Sequence, residues 1–324
     1  MKSKKVISLI LTFLMVLSLF ALTGCESSAP AKLGLGFVAS TKVADATEEA
    51  EGNGTTAAVA AAVLVDANGK IVACDIDEIE VALKFDFEGF ANTSYSFSSK
   101  RTQGDNYGMA AYAGTTEWYQ QVDAFGKVVV GKTIDEVKAL VSEGTSSEEV
   151  TKAGCTIYAG EFVNAVSKAY ANANVEGASS ADKVAVSISA YFSNAIDASE
   201  EADGKIEADI AMAAVATNAE GKITACQNDA AVAGVSFDME GYAFETEKIE
   251  TKREQGDNYG MAAWANTNEW YVQADALDKY MVGKTADEAL TAMDETGAPN
   301  ADVAKAGCTI NVFAAVQAIA EAAK

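Results

Sequence analysis

Two threonines stand where a hydroxyl group could do covalent chemistry. Thr156 and Thr309 each end an Ala-Gly-Cys-Thr run, and an apolar helical pattern follows each run. The preceding glycines, Gly154 and Gly307, would let the backbone approach a phosphate, and a helix N-terminus offers unpaired N–H groups to it. The alternative is structural: a tight turn with a buried cysteine and a threonine that caps the last helix.

A second group of candidate residues lies upstream of each threonine, around the shared run Gln-Gly-Asp-Asn-Tyr-Gly-Met. Its polar and aromatic side chains could line a pocket, with tryptophan offering a face to a planar ligand. The candidates are Asp105, Tyr107 and Trp118, and Asp257, Tyr259 and Trp270. The alternative is a turn that needs Asp-Asn and Gly for positive φ, with the aromatic residues packed beneath it.

A doubled basic pair precedes each of these runs. Lys100-Arg101 and Lys252-Arg253 could hold a phosphate or a carboxylate in an otherwise acidic protein. They could equally form surface ion pairs, which contribute little to stability.

The chain carries this region twice. Residues 100–126 and 252–278 are identical at 19 of 27 positions, at a constant offset of 152. The repeat predicts two tandem homologous domains of ordinary size. The predicted boundaries are a signal peptide at 1–24, a tether at 25–32, a first repeat domain at 33–173, a linker at 174–182 and a second repeat domain at 183–324.

Each repeat reads as strands followed by helices. Leu33–Val43, Ala57–Val65, Lys70–Ile76 and Ile79–Phe87 are predicted strands, the last with apolar residues at every second position. Helical spacing covers Glu117–Phe125 and Glu269–Leu277, and Thr-x-x-Glu capping boxes begin short helices at Thr133 and Thr285. We therefore expect an α+β fold in which each domain has a mainly antiparallel sheet with helices packed on it.

The N-terminus has the pattern of a bacterial lipoprotein signal. Lys2, Lys4 and Lys5 precede a long apolar run that ends in Leu-Thr-Gly before Cys25. Resemblance to lipoprotein signals implies cleavage before Cys25 and lipid attachment to it. The mature protein is then expected to be extracytoplasmic, anchored to the cell membrane as a lipoprotein.

Charge and composition exclude several functions. The net charge of −23 repels nucleic acid and anionic headgroups, so no nucleic-acid partner is expected. The absence of histidine excludes Ser-His-Asp and Cys-His nucleophile systems and His-ligated haem or zinc sites. No metal site is predicted, and a carrier or binding protein is favoured over a turnover enzyme.

Four cysteines remain once Cys25 is assigned to lipid. Cys74 and Cys155 belong to the first repeat, and Cys226 and Cys308 to the second. Outside the membrane, a disulfide within each domain is one reading. Buried free thiols are the other, because cysteine packs as a small hydrophobe.

The Gly-Lys-Ile hairpin, the Ala-Gly-Cys-Thr run and the following helix together resemble the extracytoplasmic FMN-binding domain family. In that family a Ser-Gly-Ala-Thr motif receives FMN on its threonine through a phosphoester bond. The resemblance implies that Thr156 and Thr309 attach flavin, with Gly154, Gly307, Cys155 and Cys308 beside it. The serine of the family motif is replaced here by Ala153 and Ala306, and its alanine by Cys155 and Cys308.

Two functions follow from these observations. The first is a flavin-based electron carrier that relays electrons to redox partner proteins outside the membrane. The second is a non-catalytic surface lipoprotein whose tandem domains bind a small ligand or a partner protein. A hydrolase is disfavoured, because no nucleophile elbow is present.

Overall fold

The computed structural model describes residues 28–244, 246 and 248–324, so the signal peptide and Cys25 lie outside the described residues. Within this part, three long strands form an antiparallel meander in each half, and helices follow the meander. The strands are β1 (Pro30–Ala44), β2 (Gly52–Asp66), β3 (Ile71–Phe85), β4 (Ala91–Asn92), β5 (Val141–Ser142), β6 (Thr145–Ser146), β7 (Val175–Ser179), β8 (Lys183–Ile196), β9 (Gly204–Thr217) and β10 (Ile223–Phe237). The predicted α+β class is confirmed.

The helices come in the same order in both halves. In the first half they are α1 (Lys100–Gln103), α2 (Met109–Ala113), α3 (Trp118–Val129), α4 (Ile134–Lys138), α5 (Glu148–Ala153) and α6 (Gly160–Ala171). In the second half they are α7 (Lys252–Gln255), α8 (Met261–Ala265), α9 (Trp270–Met281), α10 (Ala286–Leu290), α11 (Ala301–Ala306) and α12 (Phe313–Ala322). The predicted capping boxes are both present, with Thr133 and Thr285 as N-caps of α4 and α10.

The strands form two main sheets. One has the order β4-β3-β2-β1-β7 and the other the order β10-β9-β8. Strand β7 lies within the segment predicted as a linker and pairs with β1, with Leu33 opposite Val175. Strand β1 begins at Pro30, inside the predicted tether. Both segments join the sheet because backbone groups can complete an open edge whatever the side chains are.

The sequence predicted two strands, separated near residues 77–78, but the structure has a single continuous strand there. Strand β3 runs without interruption from Ile71 to Phe85, through the polar residues Asp75 and Asp77. These carboxylates do not end the strand because each has a partner. Arg101 forms an ion pair with Asp75, and the N–H of Arg101 donates to Asp77.

The two sheets pack face to face in a shared core, so the halves do not have separate cores on this side. The rings of Phe85 and Phe237 stack at its end, 4.2 Å apart and nearly parallel. Reciprocal hydrogen bonds join the halves. The N–H of Ala46 donates to the carbonyl of Gly241 and that of Ala198 to the carbonyl of Gly89, both at 2.8 Å. Because these pairs exchange under the offset of 152, the halves are related by a pseudo-twofold axis.

The helices cover the outer face of each sheet. Helices α3 and α6 pack on the first sheet around Phe125 and Val166. Helices α9 and α12 pack on the second around Leu277 and Val316. The result is four layers in the order helices, sheet, sheet, helices, and the candidate site residues lie in the two outer helical layers.

Candidate functional site

The Ala-Gly-Cys-Thr runs form the same tight turn in both halves. Gly154 ends α5 with a φ of +110°, and Gly307 ends α11 with a φ of +111°, a conformation that favours glycine. Thr156 and Thr309 are exposed to solvent just after the turn. Neither caps the next helix, because α6 and α12 begin four residues further on.

A buried glutamine fixes the first turn. The side-chain oxygen of Gln121 accepts hydrogen bonds from the N–H of Thr156 at 2.8 Å, from its hydroxyl at 3.0 Å and from the N–H of Ile157 at 3.1 Å. The side-chain nitrogen of Gln121 donates to the carbonyl of Thr116 at 3.2 Å. The glutamine therefore ties the threonine turn to the start of α3, and the Thr156 hydroxyl has a structural partner.

The second half repeats this arrangement. The side-chain oxygen of Gln273 accepts from the N–H of Thr309 at 2.9 Å and from its hydroxyl at 3.0 Å. Both glutamines are fully buried. The sequence interpretation missed them, although Gln121 and Gln273 are identical within the repeat and lie among apolar helical positions, where a buried amide needs partners.

The aspartates of the Gly-Asp-Asn-Tyr run lie on the surface, and neither is hydrogen-bonded to the threonines or their glutamines among the described residues. Asp105 is exposed and accepts a hydrogen bond from the Tyr119 hydroxyl at 3.1 Å. Asp257 accepts one from the Tyr271 hydroxyl at 3.0 Å. In each half the run forms a 3-10 turn that ends at a glycine with positive φ, as the turn interpretation expected.

Tyr107 and Trp118 do meet in the first half, beneath a lysine. The Lys100 Nζ atom lies 5.1 Å from the Tyr107 ring centroid and 5.7 Å from that of Trp118. Glu78 binds the same ammonium at 2.7 Å, and both side chains are mostly buried. Trp118 is 1% exposed and packs edge-on against Phe162 at 6.0 Å. Its face is therefore covered by the protein itself.

The equivalent aromatic residues border a cavity in the second half. The Lys252 Nζ atom lies 5.2 Å from the Tyr259 ring centroid and 5.6 Å from that of Trp270. A cavity of about 310 Å³ opens beside Trp270. Its lining includes Tyr191, Asp209, Lys252, Trp270, Leu277 and Ala315.

The cavity exists because the second half has smaller side chains at equivalent positions. In the first half Phe162 packs on both Trp118 and Phe125, with its ring centroid 6.0 Å and 5.7 Å from theirs. The larger residues of the first half and their smaller counterparts are Phe162 and Ala315, Phe125 and Leu277, Val122 and Ala274, and Val59 and Ala211. All four counterparts line the cavity.

The charges of the cavity are also rearranged. Ala230 replaces Glu78, so no carboxylate of the described residues lies within 4.0 Å of Lys252. A carboxylate appears instead on the neighbouring strand, where Asp209 replaces Ala57. Asp209 lies directly opposite Tyr191 in the sheet. Burial, with Asp209 nearby, raises the pKa of Tyr191 to about 12, so its hydroxyl stays protonated.

The arginine of each basic pair is held by carboxylates. Arg101 binds Asp75 and Asp123, both at 3.0 Å. Arg253 binds Asp275 at 2.6 Å and the buried Asp278 at 2.8 Å. Together with Lys100, both arginines are engaged within the protein, and Lys252 alone of the four basic residues lacks a described carboxylate partner.

The four cysteines of the described residues are free thiols. Cys155 and Cys308 are fully buried below the threonine turns, and burial raises the pKa of each to about 11. Burial also raises the pKa of Cys74 and Cys226. All four are protonated at neutral pH and suit packing rather than nucleophilic chemistry. The structure has no disulfide bond among these four cysteines, so the interpretation as buried free thiols is the one that it supports.

Neither a metal site nor a membrane span occurs in the described part of the chain. No three acidic or cysteine side chains among residues 28–244, 246 and 248–324 are grouped to hold a metal ion. No helix in those ranges is long and apolar enough to cross a bilayer. Comparison with family models, curated proteins and solved structures finds no match to this chain.

Proposed function

We propose that this protein is an extracytoplasmic, membrane-anchored binding protein that takes a small organic ligand into the cavity beside Trp270. The observation that carries the proposal is the difference between the halves. The same framework encloses a filled core around Phe162 and an open cavity around Ala315. Four large-to-small differences converge on that one space, which is the pattern expected of a ligand site.

The residues around the cavity suit recognition rather than turnover. Trp270 and Leu277 are buried and give an apolar floor, whereas Tyr191 and Asn311 lie at the exposed rim. The nearest thiol, Cys308, is held protonated by burial, which raises its pKa to about 11. An apolar floor with a few polar groups at the mouth fixes a ligand's orientation without supplying a nucleophile.

A thermal-shift screen of small organic compounds tests this proposal. The matched control is Ala315→Phe, which places in the second half the side chain that the first half already has. Compounds that raise the melting temperature of the unaltered protein, and not that of the variant, support the proposal. A screen in which every stabilising compound acts equally on both proteins contradicts it.

The two halves are proposed to be homologous domains that arose by duplication, since they share residues and the order of their elements. The lipoprotein signal supports anchoring through Cys25. Radiolabelled fatty acid should be incorporated into the unaltered protein and not into a Cys25→Ser variant. Equal labelling of the two would contradict this anchor.

A flavin-based electron carrier is the second candidate. What favours it is that Thr156 and Thr309 are exposed residues on the same turn in both halves, each with its hydroxyl donating to a buried glutamine. Intact mass after expression with a flavin transferase tests it. Two FMN-sized increments that disappear in Thr156→Ala and Thr309→Ala support covalent flavin, and an unmodified mass overturns it.

A further inference from the structure

We propose that the cavity binds a free aromatic amino acid as a zwitterion. The ligand's ring takes the place that the Phe162 ring has in the first half, its carboxylate binds Lys252 and its ammonium binds Asp209. This inference rests on the proposed binding function and names the chemistry of the ligand.

The space for the ring is defined by the first half. There, the Phe162 ring packs edge-on to Trp118 and against Phe125. In the second half, Trp270 remains but Ala315 ends at its Cβ atom, which leaves a ring-sized volume beside the indole. A cavity of about 310 Å³ lies at the lower end of the volumes that small-molecule sites have. The ligand is therefore small, and an aromatic ring suits the tryptophan.

Among the described residues, Lys252 has no carboxylate partner. Its counterpart Lys100 is neutralised by Glu78 at 2.7 Å in a mostly buried pair. Lys252 is half-buried over the rings of Tyr259 and Trp270, and Ala230 offers it no carboxylate. A half-buried ammonium gains most from a charge-assisted hydrogen bond, and a ligand carboxylate can supply one.

Asp209 is the complementary anion. It lines the same cavity from β9, and within the described residues it has no side-chain hydrogen bond or ion pair. The sheet register places Ala230 opposite Ala211, so Asp209 is a diagonal neighbour of Ala230, at about 7–8 Å. Relative to the first half, the carboxylate therefore stands at a different position of the sheet, diagonal to the one that Glu78 occupies.

The separation of the two charges is what selects a zwitterion. Lys252 and Asp209 border one cavity but do not form an ion pair within 4.0 Å. An α-amino acid carries a carboxylate and an ammonium on one carbon atom, so it can bridge them with two charge-assisted hydrogen bonds of about 2.8 Å. The Tyr191 hydroxyl and the Asn311 amide at the rim are neutral and can accept or donate to the same groups.

Isothermal titration of the full mature chain tests the inference, with L-phenylalanine as the probe. Two analogues each remove one charge: 3-phenylpropanoate lacks the ammonium and 2-phenylethylamine lacks the carboxylate. We expect L-phenylalanine to bind and each analogue to bind at least tenfold more weakly. Lys252→Met should reduce the affinity for L-phenylalanine at least tenfold and leave that for 2-phenylethylamine unchanged. Asp209→Asn should do the same with 3-phenylpropanoate as the unaffected probe.

The first half supplies a matched control. The double variant Lys100→Met with Glu78→Gln removes the equivalent ion pair and should leave L-phenylalanine binding unchanged. Circular dichroism and the melting temperature establish that each variant is folded.

The outcomes separate the two proposals. If an analogue binds as tightly as L-phenylalanine, and Ala315→Phe abolishes binding, the zwitterion inference is wrong and the cavity is still a ligand site. The same holds if L-phenylalanine fails to bind while other compounds show dependence on Ala315. If L-phenylalanine binds equally to the Ala315→Phe variant, the cavity is not its site and the inference is overturned.

Discussion

The two halves of this protein share one structural framework, but the first half has a filled core where the second half has a cavity. Both keep the buried glutamine, the threonine turn and the lysine above a tyrosine and a tryptophan. In the first half the space under the tryptophan is filled by Phe162 and the lysine is neutralised by Glu78. In the second half that space is a cavity, and no carboxylate of the described residues forms an ion pair with the lysine. Identity between the copies thus marks the framework, and the differences between them mark the candidate site.

The largest expected effect on stability comes from removing the Phe162 ring, which fills in the first half the space that is open in the second. Phe162→Ala should destabilise the protein by about 3–5 kcal/mol, because it removes a ring that packs on both Trp118 and Phe125. Ala315→Phe in the second half should change stability by less than about 1.5 kcal/mol, because the space already exists. Urea unfolding measures both. Equal and opposite effects would show that the second cavity is a packing defect rather than a site.

The next largest effect on stability concerns the carboxylates that bind Arg253. Its most buried partner is Asp278, whereas that of Arg101 in the first half is Asp75. Asp278→Asn should lower the free energy of unfolding by about 3 kcal/mol at pH 8. It removes the buried carboxylate partner of Arg253, whose side chain is mostly buried. Asp275→Asn, at a half-exposed position on the same arginine, should cost less than about 1 kcal/mol. Denaturant midpoints of the two variants give the comparison. A larger loss from the Asp275 variant would contradict it.

The glutamines should show a smaller effect that both halves share. Gln121→Ala should destabilise the protein by about 2 kcal/mol, because it leaves the N–H groups of Thr156 and Ile157 without a partner. Gln273→Ala should cost less, since its side-chain oxygen accepts from Thr309 alone. Hydrogen exchange at the Thr156 and Thr309 amides should accelerate in the respective variant. Unchanged exchange would mean that the glutamine does not hold the turn.

A further effect is a dependence on pH that is the same in both halves. Burial raises the pKa of Asp77 and of Asp229 to about 6, from an unfolded value near 3.8. A raised carboxyl pKa contributes stability below about pH 4 that is lost as the pH rises through 6. The free energy of unfolding of the unaltered protein should therefore fall, relative to Asp77→Asn or Asp229→Asn, by up to about 3 kcal/mol across this range, since each unit of pKa difference corresponds to about 1.4 kcal/mol.

Urea unfolding of the three proteins at several pH values between 4 and 7 makes this measurement. Parallel curves for the unaltered protein and both variants would show that these carboxylates titrate normally in the folded state.

Sequence reasoning predicted the framework better than the site. The meander of strands, the capping boxes at Thr133 and Thr285 and the α+β class follow from local patterns that the structure keeps. The single strand β3 was predicted as two, because the partner of Asp75 is Arg101, which is remote in sequence. The packing of the two sheets on each other could not be read from alternation alone, since an apolar face does not say what covers it.

The cavity was beyond sequence reasoning for a different reason. Trp118 and Trp270 were predicted as equivalent ligand platforms, and only the three-dimensional pairing of Phe162 with Trp118 shows how they differ. Likewise, the sequence did not predict Asp209 as a site residue, because its position relative to Lys252 depends on the register of β9 and β10. Spacing along the chain does not give either relation.

Fluorine NMR of the protein labelled with fluorotryptophan tests the central claim most directly, because the two halves then serve as each other's control. The described residues contain Trp118, Trp264 and Trp270, which single Trp→Phe variants can assign. Titration with L-phenylalanine should shift the Trp270 resonance and leave Trp118, which is 1% exposed, and the surface residue Trp264 unchanged. An unshifted Trp270 resonance, or equal shifts of Trp118 and Trp270, would contradict the account.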